Sequence, residues 1–198
     1  MPLHDLEDDA TIKGVEYNGV ELIGRVAEAV EIENCRFAQT RLTGSNLRQS
    51  VISGVIFENT DFASVRTQDV SMLQSVATSC RFTGMSWANG FFRDVAFDTC
   101  RSDSALFRYS KFKKVVFKGC NLRGADFQRA ELRDVRFEDC DLEGGQFAHA
   151  DMQGVVFEGC TMLDVGGAAS LKGATVRGPG AMELALSLAR EGGIVIEP

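Results

Sequence analysis

Residues 120–144 read CNLRG ADFQR AELRD VRFED CDLEG, five consecutive pentapeptides built on one pattern. The third residue of each is large and apolar, and the first is Cys, Ala or Val. The pattern extends in both directions without a change of phase: of the 31 positions counted in steps of five from Ile12 to Met162, 27 hold Phe, Leu, Ile, Met, Tyr or Trp. The residue two places earlier is Ala, Val, Cys, Ser, Thr or Gly at 29 of its 31 positions. Each pentapeptide therefore turns one small and one large residue toward a core.

A period of five fits neither an α-helix nor a flat strand, whose side chains repeat every 3.6 and 2 residues. It fits a chain that turns a corner every five residues, and the fifth residue is often Gly, Asn or Asp, which tolerate turn geometry. Columns 20 residues apart have their own character, which predicts four pentapeptides per coil. One such column holds Cys80, Cys100, Cys120, Cys140 and Cys160. We therefore expect an all-β solenoid of about eight coils.

Segments such as residues 125–129 (ADFQR) resemble the A(D/N)LXX motif of the pentapeptide-repeat family. The resemblance implies a right-handed quadrilateral β-helix, whose repeats must stack on their neighbours to bury their apolar side. We expect an acidic N-terminal tail over residues 1–9, the β-helix over 10–178, and a C-terminal capping or dimerisation helix and strand over 179–198. After Met162 the pattern arrives one residue early, and Gly166 and Gly167 are expected to absorb the shift.

Composition restricts the class of partner. The net charge of −7 and the pI near 4.9 argue against direct binding to nucleic acid through its phosphates. No run of residues approaches the length of a membrane span, and the N-terminus does not resemble a signal peptide. The sequence is thus typical of a cytoplasmic protein with no membrane partner.

The sequence offers little for catalysis. Its two histidines are His4, in the tail, and His149, at an outward position. It contains no phosphate-binding glycine motif, zinc-binding motif or nucleophile elbow. We interpret the cysteines as small, reduced core residues rather than as disulfides or metal ligands. We expect no enzymatic activity, no catalytic residues, no metal and no cofactor.

The C-terminal segment is predicted to hold the dimer interface. Ala181–Glu191 consists of good helix formers, Gly192 and Gly193 end the helix, and residues 194–196 are predicted to form a short strand. The helix is apolar over a wider arc than is needed to cover one open end, which favours pairing with the same helix of a second chain; a monomer with a capping helix is the alternative. The predicted interface residues are Met182, Leu184, Leu186, Leu188, Ile194 and Ile196. This ending resembles that of the MfpA and Qnr quinolone-resistance type of the family, which implies a homodimer.

The outward residues carry an uneven charge. Between Glu131 and Asp164 there are nine acidic residues against two arginines, whereas residues 101–118 hold six basic residues against Asp103. The candidate partner-binding carboxylates are those of Glu131, Asp134, Glu138, Asp139, Asp141, Glu143, Asp151 and Glu158.

Two functions follow from these surfaces. The resemblance to the MfpA and Qnr type implies a bacterial DNA mimic that binds DNA gyrase or topoisomerase IV through its acidic surface and confers resistance to fluoroquinolones or a related topoisomerase poison. The alternative is a non-catalytic interaction scaffold with an unrelated partner, bound through outward apolar residues. Leu73 and Phe91 are the candidates for that second site, and Phe91 is the one phenylalanine outside the inward positions.

Overall fold

A computed structural model describes residues 5–196. Residues 1–4 of the predicted tail, His4 among them, and the last two residues of the C-terminal segment lie outside it. The described chain forms 19 strands, a short 3-10 helix (Ala168–Leu171) and one α-helix, α1 (Gly180–Glu191). The strands are β1 (Thr11–Lys13), β2 (Glu16–Asn18), β3 (Val26–Glu28), β4 (Glu31–Glu33), β5 (Arg36–Ala38), β6 (Asn46–Arg48), β7 (Val51–Ser53), β8 (Ile56–Glu58), β9 (Arg66–Gln68), β10 (Ser71–Leu73), β11 (Val76–Thr78), β12 (Ser86–Ala88), β13 (Phe91–Asp98), β14 (Lys111–Lys118), β15 (Glu131–Arg133), β16 (Arg136–Glu138), β17 (Asp151–Gln153), β18 (Val156–Glu158) and β19 (Thr175–Arg177).

Strands 20 residues apart pair in parallel, so each coil lies on the next. Thr11 of β1 pairs with Glu31 of β4, which pairs with Val51 of β7. The coils have four faces: face 1 starts at residue 10, face 2 at 15, face 3 at 20 and face 4 at 25, and each recurs every 20 residues. Coil 1 starts at residue 10 and coil 8 at residue 150. The predicted right-handed quadrilateral β-helix, with about eight coils and a short C-terminal helix, is confirmed.

The fifth residue of every pentapeptide forms the corner. From Asp9 to Asp164, every fifth residue has a positive φ, whether it is glycine or not. Glycine adopts this backbone region without a steric penalty, and Asn and Asp tolerate it better than other residues. Even Tyr109 (φ 59°) and Lys114 (φ 54°) adopt it, because the stacked coils on both sides fix the corner.

Stacked rings fill the core. On face 2, the ring centroids of Phe97 and Phe117 lie 4.8 Å apart, those of Phe117 and Phe137 5.1 Å, and those of Phe137 and Phe157 4.8 Å, with nearly parallel planes. These separations follow the strand spacing of about 4.8 Å, so one aromatic residue per coil makes a continuous column. The inward small residues pack beside this column and are buried from coil 2 onward, whereas those of coil 1 are partly buried.

Residues 5–9, which the sequence assigns to an acidic tail, pack on the first coil. Leu6 is buried, and Asp5 accepts a hydrogen bond from Nε of Arg25 at 2.7 Å. The backbone N–H of Asp9 donates to the carbonyl oxygen of Glu28 at 2.9 Å. Corner residues later in the chain make the same bond, as Gly14 does to the carbonyl oxygen of Glu33. This part of the segment therefore covers face 4 at the N-terminal end of the core.

The shift of one residue after Met162 is present in the structure. Phe157 of β18 pairs with Val176 of β19, 19 residues later instead of 20. The chain gains room for this at Gly167, where φ is 70° and an added Cβ would lie 2.3 Å from the backbone nitrogen of Ala148. Only glycine fits there without moving the backbone of the coil below.

The end of the chain differs from the prediction in one respect. The expected strand over residues 194–196 does not form: these residues are exposed and pair with no strand of the described chain. Gly193 takes a positive φ and the Ile194 N–H donates to the Ala189 carbonyl at 2.9 Å, so the chain folds back against α1 instead of reaching a sheet edge. No helix within residues 5–196 is long and apolar enough to cross a membrane.

Candidate partner-binding surfaces

Helix α1 covers the C-terminal end of the solenoid with a mainly polar side. Glu183 accepts a hydrogen bond from the backbone N–H of Met162 at 2.5 Å, and Glu191 accepts one from Ala168 at 2.9 Å. Ser187 is buried between these two glutamates. The carboxylates thus satisfy amide groups that the last coil leaves without a strand partner.

The opposite side of α1 is apolar and open to solvent. Met182 is 71% exposed, and the predicted interface residues Leu186, Leu188, Ile194 and Ile196 are exposed with it. Leu184 differs, because it packs against the core of the solenoid. Leu186, Arg190, Ile194 and Ile196 line a shallow groove. An apolar helix face at the end of a rod, next to a groove, is the kind of surface that a partner covers.

The predicted acidic residues lie on three adjacent faces of coils 7 and 8, close to α1. Most of them form ion pairs with cations of a neighbouring coil or the same strand. Glu131 pairs with Lys111 (3.0 Å), Glu138 with Arg136 (2.8 Å), Asp141 with Arg123 (3.3 Å), Glu143 with Arg123 (2.5 Å), Asp151 with Arg133 (3.7 Å), and Glu158 with Arg136 (3.6 Å) and Arg177 (3.7 Å). Asp134 and Asp139, both at corners, pair with no cation within residues 5–196.

These ion pairs weaken the negative electrostatic potential of the acidic surface but do not cancel it. The carboxylates of Glu143 and Asp141 raise the pKa of the Arg123 guanidinium, so this cation stays charged. The nine carboxylates from Glu131 to Asp164 face six paired cations, counting Arg190 with Asp164, which leaves three in excess. Exposed pairs of this kind contribute little to stability because solvent screens them, and a partner's charges can replace them.

The candidate apolar site lies on face 1, two to three coils from Glu131 of the acidic surface. Leu73 of coil 4 and Phe91 of coil 5 are half-buried, and Val51 of coil 3 is exposed beside them. Above them, Lys113 and Lys114 of coil 6 form no ion pair with any residue of the described chain. Face 1 therefore changes from apolar to cationic within two coils.

Two family models match the chain. The model described as "Pentapeptide repeats (8 copies)" matches residues 32–66, and the one described as "Pentapeptide repeat region" matches residues 91–165. Together they cover more than half of the chain, in the frame on which the coils are built. The chain belongs to the pentapeptide-repeat family.

Solved structures share the fold of this pentapeptide-repeat protein. Trypsin-treated QnrB1, a plasmid-mediated fluoroquinolone resistance protein, is 17% identical with a TM-score of 0.54, over 96% of this chain and 99% of that one. Full-length QnrB1 is 18% identical with a TM-score of 0.50, over 92% of this chain and 100% of that one. No curated protein sequence gives a significant match. At these identities the likeness establishes the architecture only.

Neither family model is that of an enzyme, and the thiols of this pentapeptide-repeat protein lie inside the solenoid. All six cysteines are free and buried. The Cys120 thiol donates to the carbonyl oxygen of Phe97 at 3.4 Å, in the preceding coil. Hydrogen bonding to the Cys120 and Cys80 thiols, together with burial, raises the pKa of Cys100, which keeps that thiol protonated. Within residues 5–196 there is no group of three His, Cys, Asp or Glu side chains placed to hold a metal ion.

Proposed function

We propose that this protein is a non-catalytic DNA mimic that binds a type II topoisomerase, DNA gyrase or topoisomerase IV, and protects it from fluoroquinolones or a related poison. The observation that carries the proposal is the position of the acidic coils. Coils 7 and 8, with three carboxylates in excess of their paired cations, lie directly beneath an uncovered apolar helix face. The shared fold with QnrB1, a fluoroquinolone resistance protein, supports the choice of partner.

The mimic requires a second chain. If the exposed side of α1 pairs with its copy, the acidic coils of both chains flank the two-fold axis, and six excess carboxylates lie on one stiff rod. A groove built from cations to hold phosphates attracts any rigid surface of matching charge, and salt weakens that attraction. The partner's cations can also take over carboxylates that are now paired within the rod, such as Asp151, whose side chain is 64% exposed.

The direct test is supercoiling of relaxed DNA by purified gyrase with increasing amounts of the protein, at low and moderate salt, with and without a fluoroquinolone. We expect inhibition that weakens with salt and fewer drug-stabilised DNA breaks. If the protein, in large excess over the enzyme, has neither effect on gyrase or topoisomerase IV, the proposal fails. The outward apolar residues Leu73 and Phe91 would then favour an interaction scaffold with another partner.

The dimer is tested separately, by mass measurement in solution. Met182→Glu with Leu186→Glu places charges on the exposed side of α1 and touches no core contact, so we expect a folded monomer where the wild type is a dimer. Val26→Glu is the matched control, because Val26 is 72% exposed at the other end of the rod. A wild-type monomer, or a double variant that remains dimeric, would rule out this interface.

A further inference from the structure

The outward side chains of face 1 are complementary in charge to the same side chains taken in the opposite direction along the rod. Two columns of side chains point outward on this face, one on each side of the inward residues. From coil 2 to coil 6 the first column holds Glu31, Val51, Ser71, Phe91 and Lys111, and the second holds Glu33, Ser53, Leu73, Arg93 and Lys113. Both columns begin with a carboxylate and end with a lysine. Between these ends the first column is uncharged, and the second carries one charge, that of Arg93.

Reversal about coil 4 brings opposite ends together. When two such faces pack with the rods antiparallel, a two-fold axis across coil 4 keeps each column opposite itself and exchanges coil 2 with coil 6. Lys113 then lies opposite Glu33 of the second copy, and Lys111 opposite Glu31. Phe91 lies opposite Val51, and the two copies of Leu73 meet at the axis. Every charge at the ends of the patch meets its opposite. Between the ends lie the apolar Val51, Leu73 and Phe91, and Arg93 lies opposite an uncharged residue, Ser53.

The side chains concerned are available. Lys113 and Glu31 form no ion pair with other described residues, and Lys113 lies between Arg93 and Arg133, two cations of the adjacent coils. Glu33 is paired only with the exposed Lys13, and Lys111 only with Glu131. Val51 is 38% exposed, although charged or polar residues would suit an outward position better. A carboxylate facing Lys113 would relieve the repulsion among three stacked cations.

The complementarity is a property of face 1 and not of the neighbouring face. On face 2 the same reversal would place Asp98 opposite Glu58, two like charges, and Val116 opposite Arg36. Face 1 also has strands in every coil from 1 to 8, so it presents a regular, flat surface to a second sheet.

We infer that face 1 is a self-association surface, on which a second copy of this chain packs antiparallel about coil 4. Five strands at about 4.8 Å extend over only about 24 Å. A patch of this length buries less area than a stable interface needs, so the contact is weak in isolated chains. It becomes stronger when pairing through α1 raises the effective concentration of the second face. The inference assigns an occupant to the apolar site of Leu73 and Phe91, and it does not depend on a topoisomerase.

The test uses the position on the two-fold axis. Leu73→Cys places two thiols opposite each other, and the native cysteines are buried. Under mild oxidation we expect Leu73→Cys to form a disulfide-linked dimer on denaturing gels at least about tenfold faster than Ala88→Cys. Ala88 has the same place in its pentapeptide and in coil 4, but on face 4, and is also half-buried. Both variants keep the same α1, so dimerisation through α1 is equal in the two and cannot account for a difference between their rates.

Charge exchange establishes the orientation. In the Leu73→Cys background, Lys113→Glu is expected to slow cross-linking by about tenfold, because two ion pairs become repulsive by symmetry. Adding Glu33→Lys is expected to restore the rate. Circular dichroism of each variant checks that the coils remain folded. Equal cross-linking rates for Leu73→Cys and Ala88→Cys, or a cross-linking rate that Lys113→Glu does not change, would overturn the inference.

Discussion

Replacing Phe127 by alanine is expected to lower the free energy of unfolding by about 3–5 kcal/mol, the usual cost of emptying a fully buried aromatic site. Phe127 has no exposed surface and stacks between Phe107 and Phe147, with centroid distances of 5.1 and 5.3 Å. Its ring also meets the edges or faces of Phe112, Phe117 and Phe137. Each coil has one residue at this position, so no neighbouring side chain can move into the cavity.

Phe91→Ala is the matched control. Phe91 is also a phenylalanine and lies in the adjacent coil, but its side chain is half-buried and points outward. We expect it to cost less than about 1 kcal/mol, because little apolar surface loses its contacts. Urea unfolding followed by circular dichroism measures both variants. Similar losses for the two would contradict the assignment of the third residue of each pentapeptide to the core.

The period of five residues was sufficient to predict the solenoid, because both of its requirements are local. The inward large residue must be apolar, and the corner must adopt a positive φ. The residues of each pentapeptide therefore indicate its conformation without reference to the rest of the chain. The shift after Met162 could be predicted for the same reason: two glycines stand where an extra backbone adjustment is needed, and Gly167 makes it. The cysteine column predicted the four faces, since only residues one coil apart share an environment.

Contacts between the coils and the end of the chain were harder to predict. Arg123 binds Asp141 and Glu143, 18 and 20 residues later, and this pairing was missed although the 20-residue columns contain the signal. Helix α1 was expected to cover the solenoid with an apolar stripe, but its glutamates face the solenoid because the last coil offers unpaired amides. Which side of α1 faces the solenoid depends on which backbone amides of the last coil lack a hydrogen-bond partner. The sequence of the helix contains no information about these amides.

The largest functional effect is expected from charge reversal on the acidic surface. Glu138→Lys with Asp141→Lys should raise the concentration needed for half-inhibition of gyrase supercoiling by about tenfold or more, because cations would face a groove built for phosphates. The solenoid accepts such residues: Lys118 precedes Glu138 in its column, and Arg101 occupies the column of Asp141. The reversal also removes one of the two carboxylates that pair with each of Arg136 and Arg123, which adds to the positive potential.

The same rod provides a control with an identical change of charge. Glu58 and Asp61 occupy the same two columns four coils earlier, and they too are paired, with Arg36 and Arg81. Glu58→Lys with Asp61→Lys should leave inhibition near the wild-type level at moderate salt, since these residues lie far from the two-fold axis through α1. If both double variants lose inhibition equally, the net charge of the rod governs binding. If neither does, the acidic coils 7 and 8 are not the surface that the enzyme recognises, and the DNA-mimic proposal is wrong for this protein.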